Sequence, residues 1–353
     1  MLFIIYDSII GCLLGTAVGD AFGLPYKGLS KRWQFRLYPH LNKYQFLFGR
    51  GMVSHDTEHT CIVAQSLIVS AVNVDIFKKD LAWRLRFWLL GLPAGIGYAT
   101  LRSILKLWLG FGCARGVFSA GNGAAMRSAI IGVCYGDDLQ KLRALVRAST
   151  RLTHTDPKAE YGAFAVAFAS YLSSCQSNVY PQNYYRELGN ILGAEASEFL
   201  ELIGKACTGA DAQQTTASFA TQLGMNNGVS GYVYHTVPVV IQTWLRHQQD
   251  YAGGIREIIR CGGDTDTTAA ILGGIIGASV GKDGIPIEWL QGLWEWPRTK
   301  AWIELLGKRL ADVCNEGTAK LALPLPWLGI LLRNILFLIV VIVHGFRKFL
   351  PPY

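Results

Sequence analysis

Paired cysteines are missing from this 353-residue chain. Its eight cysteines are spread singly from Cys12 to Cys314, a pattern that fits neither a disulfide framework nor a local zinc knuckle or redox pair. A chain of this length builds its core without covalent staples, so a reducing compartment is expected. Clustered charge is also scarce. The net charge of +8, with a pI near 9.0, is scattered along the sequence, which speaks for a solvated basic surface and against a nucleic-acid groove. The opening "MLFIIYDSIIGCLLGTAVGDAFG" lacks the basic n-region of a secretory signal, carries Asp7 early and runs into a glycine-rich segment. It is expected to be a structural element of the fold. Strand-like alternation is short and sparse, and no internal repeat or low-complexity tract occurs.

What is present is helical. Hydrophobic residues make up 51% of the chain, as expected of a packed globular protein. Apolar residues at helical spacing predict helices over 57–72, 138–150 and 157–173. The last of these has Asp156 as its N-cap and Pro157 at its first helical position. Residues 266–280 read as a helix of small residues that lets neighbours approach closely, while "GYVYHTVPVVIQTWL" fits a buried helix about as well as a strand. The expectation is one all-α domain over residues 1–320, followed by a hydrophobic tail over 321–353.

That tail, "WLGILLRNILFLIVVIVHGFRKFLPPY", follows the proline-rich "LALPLP". A helix from Trp327 to Phe349 would be on the order of 34 Å long, enough to cross a bilayer core. Arg333 and Asn334 interrupt the run, and Arg347 with Lys348 close it. A lone arginine there could snorkel at a cost of roughly 3 kcal/mol. Residues Ile335 to Val343 are apolar on every side and leave no polar face for water. Attachment to a membrane, spanning it or lying in its interface, is therefore expected of an otherwise cytoplasmic domain. The alternative is a last helix packed on the domain.

Four segments carry chemistry. In "RCGGDTDTTAAILGGIIGAS", Asp264, Asp266 and Thr267 gather three oxygen ligands where a Gly-Gly turn enters a helix. One cap needs only one side chain, so the cluster points to a hard-cation site. In "SHDTEHT", Ser54, Asp56 and Thr57 repeat that theme, while His55 and His59 share a helical face as zinc ligands do. A zinc pair, a capped helix start and half of a shared hard-metal centre all remain open on these residues. "SAGNGAAMRSA" places Gly121, Asn122 and Gly123 before a helix, where exposed backbone N–H groups can hold an anion. "RLTHTDPKAEYGA" sets His154 and Asp156 in a loop before another. A fifth stretch, residues 29–50, carries Lys31, Arg32, Arg36, Lys43 and Arg50 with no acid. It reads either as a flap for a phosphate-bearing ligand or as a surface loop.

Together these segments resemble the ADP-ribosylglycohydrolases, the family of the dinitrogenase reductase-activating glycohydrolase. "GCLLGTAVGDAFGLP" looks like the family's opening helix and Gly-Asp-Ala turn, and "SHDTEHT" like its Ser/Thr-Asp-Asp-Thr motif. "GNGAAMR" and "THTDP" resemble its two loop motifs, and "GGDTDT" matches its second metal motif. The resemblance implies a compact multi-helix fold with a dinuclear metal cleft. It further implies two Mg2+ ions held by Ser54, His55, Asp56, Asp264, Asp266 and Thr267, with Asp56 and Asp264 catalytic. Gly121, Asn122, Gly123, Met126 and His154 would bind the substrate, ADP-ribose or an ADP-ribosylated protein. The implied reaction is hydrolysis of the bond joining ADP-ribose to a side chain or small acceptor.

Two positions depart from the family pattern. His55 stands where members carry Asp, and Lys27, in "GLPYKGL", stands near the opening motif where members carry Glu. The site loses about three units of negative charge, which lowers affinity for a hard divalent ion and favours Mn2+ or another imidazole-tolerant metal. Two readings follow: a glycohydrolase with an altered metal site, or a catalytically weak or inactive member that binds ADP-ribose or an ADP-ribosylated partner.

Overall fold

A computed structural model describes residues 2–29, 31–110 and 116–347. Among them the chain forms seventeen α-helices with short 3-10 turns and isolated β-bridges, but no extended strand. The all-α expectation holds.

Two helices form the centre because their facing stripes lack side chains. Glycine recurs every fourth residue at Gly11, Gly15, Gly19 and Gly23 of the opening helix, Leu2–Gly23, so one face is bare backbone. That face lies antiparallel against the helix Thr265–Val280. A Cβ added at Gly11 would lie 2.1 Å from the Gly277 carbonyl oxygen, and one at Gly19 would lie 2.1 Å from that of Ala269. Thr265 Oγ1 donates to the Gly23 carbonyl at 2.8 Å, and the Tyr251 hydroxyl to that of Gly15 at 2.6 Å. Residues 8–26 are buried throughout, so the apolar opening is a core element. The helices His55–Ser70 and Lys300–Glu316 pack on it, while Pro157–Cys175 and Val233–Arg246 pack on its partner.

The predicted helices appear with shifted ends. The one expected over 57–72 spans His55–Ser70, because Ser54 is its N-cap. Asp138 caps Leu139–Arg151 through the N–H groups of Gln140 and Lys141. Asp156 accepts from the Lys158 N–H at 2.9 Å at the start of Pro157–Cys175. The ambiguous apolar segment is the helix Val233–Arg246, with Pro238 inside it.

The closing helix, Trp327–Arg347, packs along one face on the domain, as in the alternative set out for it. Arg333 is not a lone snorkelling cation. Its Nε and Nη2 each reach the Glu295 carboxylate at 2.7 Å, and Nη2 also donates to the Val53 carbonyl at 2.6 Å. Asn334 donates to the Gly91 carbonyl at 2.7 Å, and His344 Nε2 meets the Pro25 carbonyl at 2.9 Å. Phe337 and Val340 pack with Leu24, Phe46 and Met52. A buried guanidinium needs a paired carboxylate, and Glu295 lies too far back in the sequence to be read as that partner. The side chain of Arg347 and all of Lys348 to Tyr353 lie outside the described residues.

The glycine stripe generates a stability prediction. Gly19→Val should cost about 3 kcal/mol, because its new atoms meet backbone that cannot turn aside. Gly189→Ala, with open space around it, should be neutral or slightly stabilising. Chemical denaturation of both variants provides the comparison.

Candidate active site

The site is built where the ends of the two central helices meet the start of His55–Ser70. Asp20, one turn before the end of the opening helix, reaches across to that start. Its Oδ2 accepts from the Ser54 N–H at 2.8 Å, the Thr57 N–H at 3.1 Å and the Thr57 hydroxyl at 2.6 Å. It thus adds an anionic cap from another helix to the local one made by Ser54. Thr57 is committed to this capping role. Ser54 Oγ donates to Asp56 Oδ2 at 2.9 Å and orients that carboxylate.

The second motif enters through Gly262 and Gly263, both at positive φ (75° and 84°). A Cβ on Gly263 would lie 2.1 Å from the Val229 carbonyl oxygen, so only glycine fits this crossing. Asp264 stands at the N-cap of Thr265–Val280 but makes no capping bond. Its Oδ2 instead accepts from Asn122 Nδ2 at 2.7 Å, and the same amide donates to Thr236 Oγ1 at 3.0 Å. The Gly-Asn-Gly loop is therefore tied to the second aspartate motif.

Lys27 completes the cluster. The Gly28 N–H donates to the Gly263 carbonyl at 2.9 Å, which holds the lysine beside the motif. Its ammonium lies 3.0 Å from Asp264 Oδ1 and 2.8 Å from Asp266 Oδ2. Burial opposes the charge on Lys27, but the attraction of Asp266 and Asp264 outweighs it and raises the lysine pKa. Burial would also raise Asp264, yet Lys27 and the Asn122 bond bring it below the usual carboxylate range. Asp266 is pushed up to about 7, chiefly by burial, with Asp264 and Asp56 adding repulsion that Lys27 only partly offsets. Asp20 is raised well above its ordinary value by burial and the neighbouring Asp56.

Among the described residues, one cluster of possible cation ligands is found, and it shares Asp266 with the Lys27 ion pairs. One ligand atom from each of His55, Asp56 and Asp266 lies within 4.8 Å of the others. His55 Nδ1, Asp56 Oδ1 and Asp266 Oδ1 are buried there with no hydrogen-bond partner, as is Asp20 Oδ1 of the neighbouring carboxylate. Buried acceptors left in this state normally face an ion or water, so these residues fit one divalent ion. A second ion between Asp264 and Asp266 would have to displace the Lys27 ammonium.

Above this floor lies a cleft of about 710 Å³, within the roughly 300–1,000 Å³ range of small-molecule sites. Lys27, His55, Asp264 and Thr267 line its floor, and Gly121, Asn122, Gly123, Met126 and His154 line its wall. Ser54, Asp56 and Asp266 lie buried just beneath. Ser54, His55, Asp56, Asp264, Asp266, Thr267 and the 121–126 loop with His154 therefore gather at one cleft. His154 packs against the loop: added Cβ atoms on Gly121 and Gly123 would lie 3.1 and 2.9 Å from its ring. Burial and Arg127 hold His154 down to about 3, so it is neutral near pH 7.

His59 does not join His55. Its Nδ1 faces Arg127 Nη1 at 3.3 Å and its ring packs edge-on against Trp88. Burial and Arg127 keep its pKa well below normal, so it accepts that bond as a neutral ring. Arg127 also donates to Ser149 and Thr153, which braces the loop that carries His154. Glu58 turns away from the cleft to Trp88 Nε1 and Arg298, each at 2.7 Å. Arg36, Lys43 and Arg50 of the basic stretch do not line the cleft, and Arg50 donates to the Gln291 carbonyl. The side chains of Lys31 and Arg32 lie outside the described residues. Asp20, Tyr98, Arg102 and Phe118 were not legible as site residues. For Asp20 the Gly-Asp-Ala turn was the available signal.

The chain resembles known proteins along most of its length. It is 32% identical to an uncharacterized protein of Archaeoglobus fulgidus, over 86% of this chain and 95% of that one. It is 24% identical to the ADP-ribosyl-[dinitrogen reductase] glycohydrolase of Rhodospirillum rubrum, over 82% and 91%. Against the human ADP-ribosylhydrolase ARH3 the identity is 27%, over 80% and 87%. A solved structure titled ADP-ribosylglycohydrolase-related protein complex shares the fold, with a TM-score of 0.59 and 22% identity over 88% of this chain and 99% of that one. The sequence model described as ADP-ribosylglycohydrolase matches residues 4–319 and stops short of the closing helix. With both aspartate motifs and the Gly-Asn-Gly loop inside that span, the chain belongs to the ADP-ribosylglycohydrolase family.

Proposed function

We propose that this protein hydrolyses the glycosidic bond between ADP-ribose and a protein side chain or small acceptor, using one divalent ion and the Lys27 ammonium in place of two ions. The observation that carries this reading is the position of Lys27 Nζ, bridging Asp264 and Asp266 at 3.0 and 2.8 Å beside a separate three-residue cation place. The names of the Rhodospirillum and human relatives support the reaction class. A bound divalent ion would supply charge stabilisation for the ribose oxygens and a more acidic water.

The chain's own groups do the rest. The Gly121–Gly123 loop, fixed by Asn122 to Asp264 and Thr236, presents backbone to the pyrophosphate and distal ribose. His154 shapes that wall as a neutral ring. Lys27 stabilises Asp264 as a carboxylate, ready to offset positive charge developing at the anomeric carbon. Asp56, oriented by Ser54, is placed as the proton acceptor for the attacking water. A second reading, binding of ADP-ribose without turnover, draws on the same ion pairs, since a fixed ammonium is no Lewis acid for water.

Two experiments test the site. Release of ADP-ribose from ADP-ribosylated arginine and serine peptides, with Mg2+ or Mn2+ added, should be measurable for the native protein. It should rise in Lys27→Glu/His55→Asp, which restores the acidic pattern. Binding of free ADP-ribose with no turnover under either metal would establish the second reading instead. Gly123→Ala should weaken ADP-ribose binding at least about tenfold, roughly 1.4 kcal/mol, because its Cβ presses on His154. Titration calorimetry reads that loss, and an unchanged affinity would remove the loop from the binding site.

A further inference from the structure

The closing helix buries a polar and mixed face against the domain and shows solvent a wholly apolar one. Trp327, Leu328, Leu332, Ile335, Leu336, Leu338, Ile339, Ile342, Val343 and Phe346 are all exposed, and among the described side chains of the helix no polar or charged one stands with them. The bonds of Arg333, Asn334 and His344 to Glu295, Gly91 and Pro25 hold the helix flat along the domain. Breaking them to stand it upright in a bilayer would strand the Glu295 carboxylate and several buried carbonyls.

The surroundings say what covers this face. Phe87 lines the same shallow recess as Trp327 and Ile330 at the start of the helix. Phe87 in turn neighbours Trp83 and Trp108, with ring centroids 6.1 and 6.3 Å away. Trp296 packs against Gly329 on the other flank. These tryptophans and Phe87 are each between 41% and 53% exposed, the half-wet setting in which Trp and Tyr favour the bilayer interface. The stretch Val74–Trp108 carries Lys78, Lys79, Arg84, Arg86, Arg102 and Lys106 against only Asp75 and Asp80. Residues 317–353 contain four basic residues and no acid. An apolar stripe about 30 Å long, flanked by tryptophans and by the basic excess of Val74–Trp108, complements an anionic lipid surface.

We infer that the closing helix, with the Trp83–Phe87–Trp108 cluster, is an in-plane docking surface for anionic membranes, so that the protein lies on a bilayer without crossing it. This does not depend on the reaction proposed for the cleft. Because the helix supports the segments that carry Lys27 and Gly95 to the cleft, docking also fixes the orientation of the cleft relative to the membrane.

The test uses the full chain and vesicles of phosphatidylcholine alone or with phosphatidylserine. Co-flotation should be at least about tenfold greater with the anionic vesicles and should fall as salt is raised. Leu332→Glu/Leu336→Glu/Ile339→Glu, all at exposed positions, should abolish flotation while leaving the melting temperature and the circular dichroism spectrum unchanged. Bound protein should be released by alkaline carbonate. Three results would overturn the inference: no flotation with either vesicle, retention after carbonate as for a spanning helix, or a native dimer in light scattering that the triple variant turns into a vesicle-indifferent monomer.

Discussion

Backbone contact between the opening helix and Thr265–Val280 is the constraint on which the site depends. Each helix brings glycine or another small residue to the crossing, so the two axes approach as closely as main chains can. That approach places the end of one helix, with Asp20 and the turn carrying Lys27, against the start of the other, with Asp264 and Asp266. A wider crossing would separate the lysine from both carboxylates and remove Asp20 from the start of His55–Ser70. The geometry of the site is thus set by glycines and other small residues, which is why so much glycine sits in a helical core that otherwise disfavours it.

Within that frame the electrostatic problem is crowding. Asp20, Asp56, Asp264 and Asp266 are gathered in a buried region, where four carboxylates cannot all be ionised without nearby cations. A covalently attached ammonium addresses part of this: Lys27 holds Asp264 charged while Asp266 and Asp20 are pushed upward. The remaining orphan oxygens, with the His55 ring nitrogen, leave room and charge for one more cation. An imidazole beside two carboxylates suits a borderline metal better than a hard one. A lysine in place of an ion cannot be removed by a chelator, and it cannot lower the pKa of a bound water as a metal does.

Much of this was legible in the sequence because its signals are local. Asp156-Pro157 marks a helix start by capping chemistry alone, and the positive-φ Gly262-Gly263 pair marks a turn next to Asp264 and Asp266. The departures at Lys27 and His55 could be singled out by position within motifs, and the structure gives Lys27 its partners. What stayed hidden were partners far apart in the chain. Nothing near Asp20 shows that it caps a helix beginning 35 residues later, and nothing near Arg333 points to Glu295. Glu58 and His59, read beside the metal motif, are committed to Arg298 and Arg127, with the His59 ring one turn below that of His55. The apolar run 335–343 concealed the docking of Phe337 and Val340, since a helix half buried in protein and half exposed needs no polar stripe to distinguish its faces.

The number of divalent ions bound decides whether Lys27 takes the place of a metal. Calorimetric titration of the apo-protein with Mn2+ should give one site per chain, and Lys27→Glu should give two. Two sites in the native protein would contradict the role assigned here to the lysine, whatever the activity.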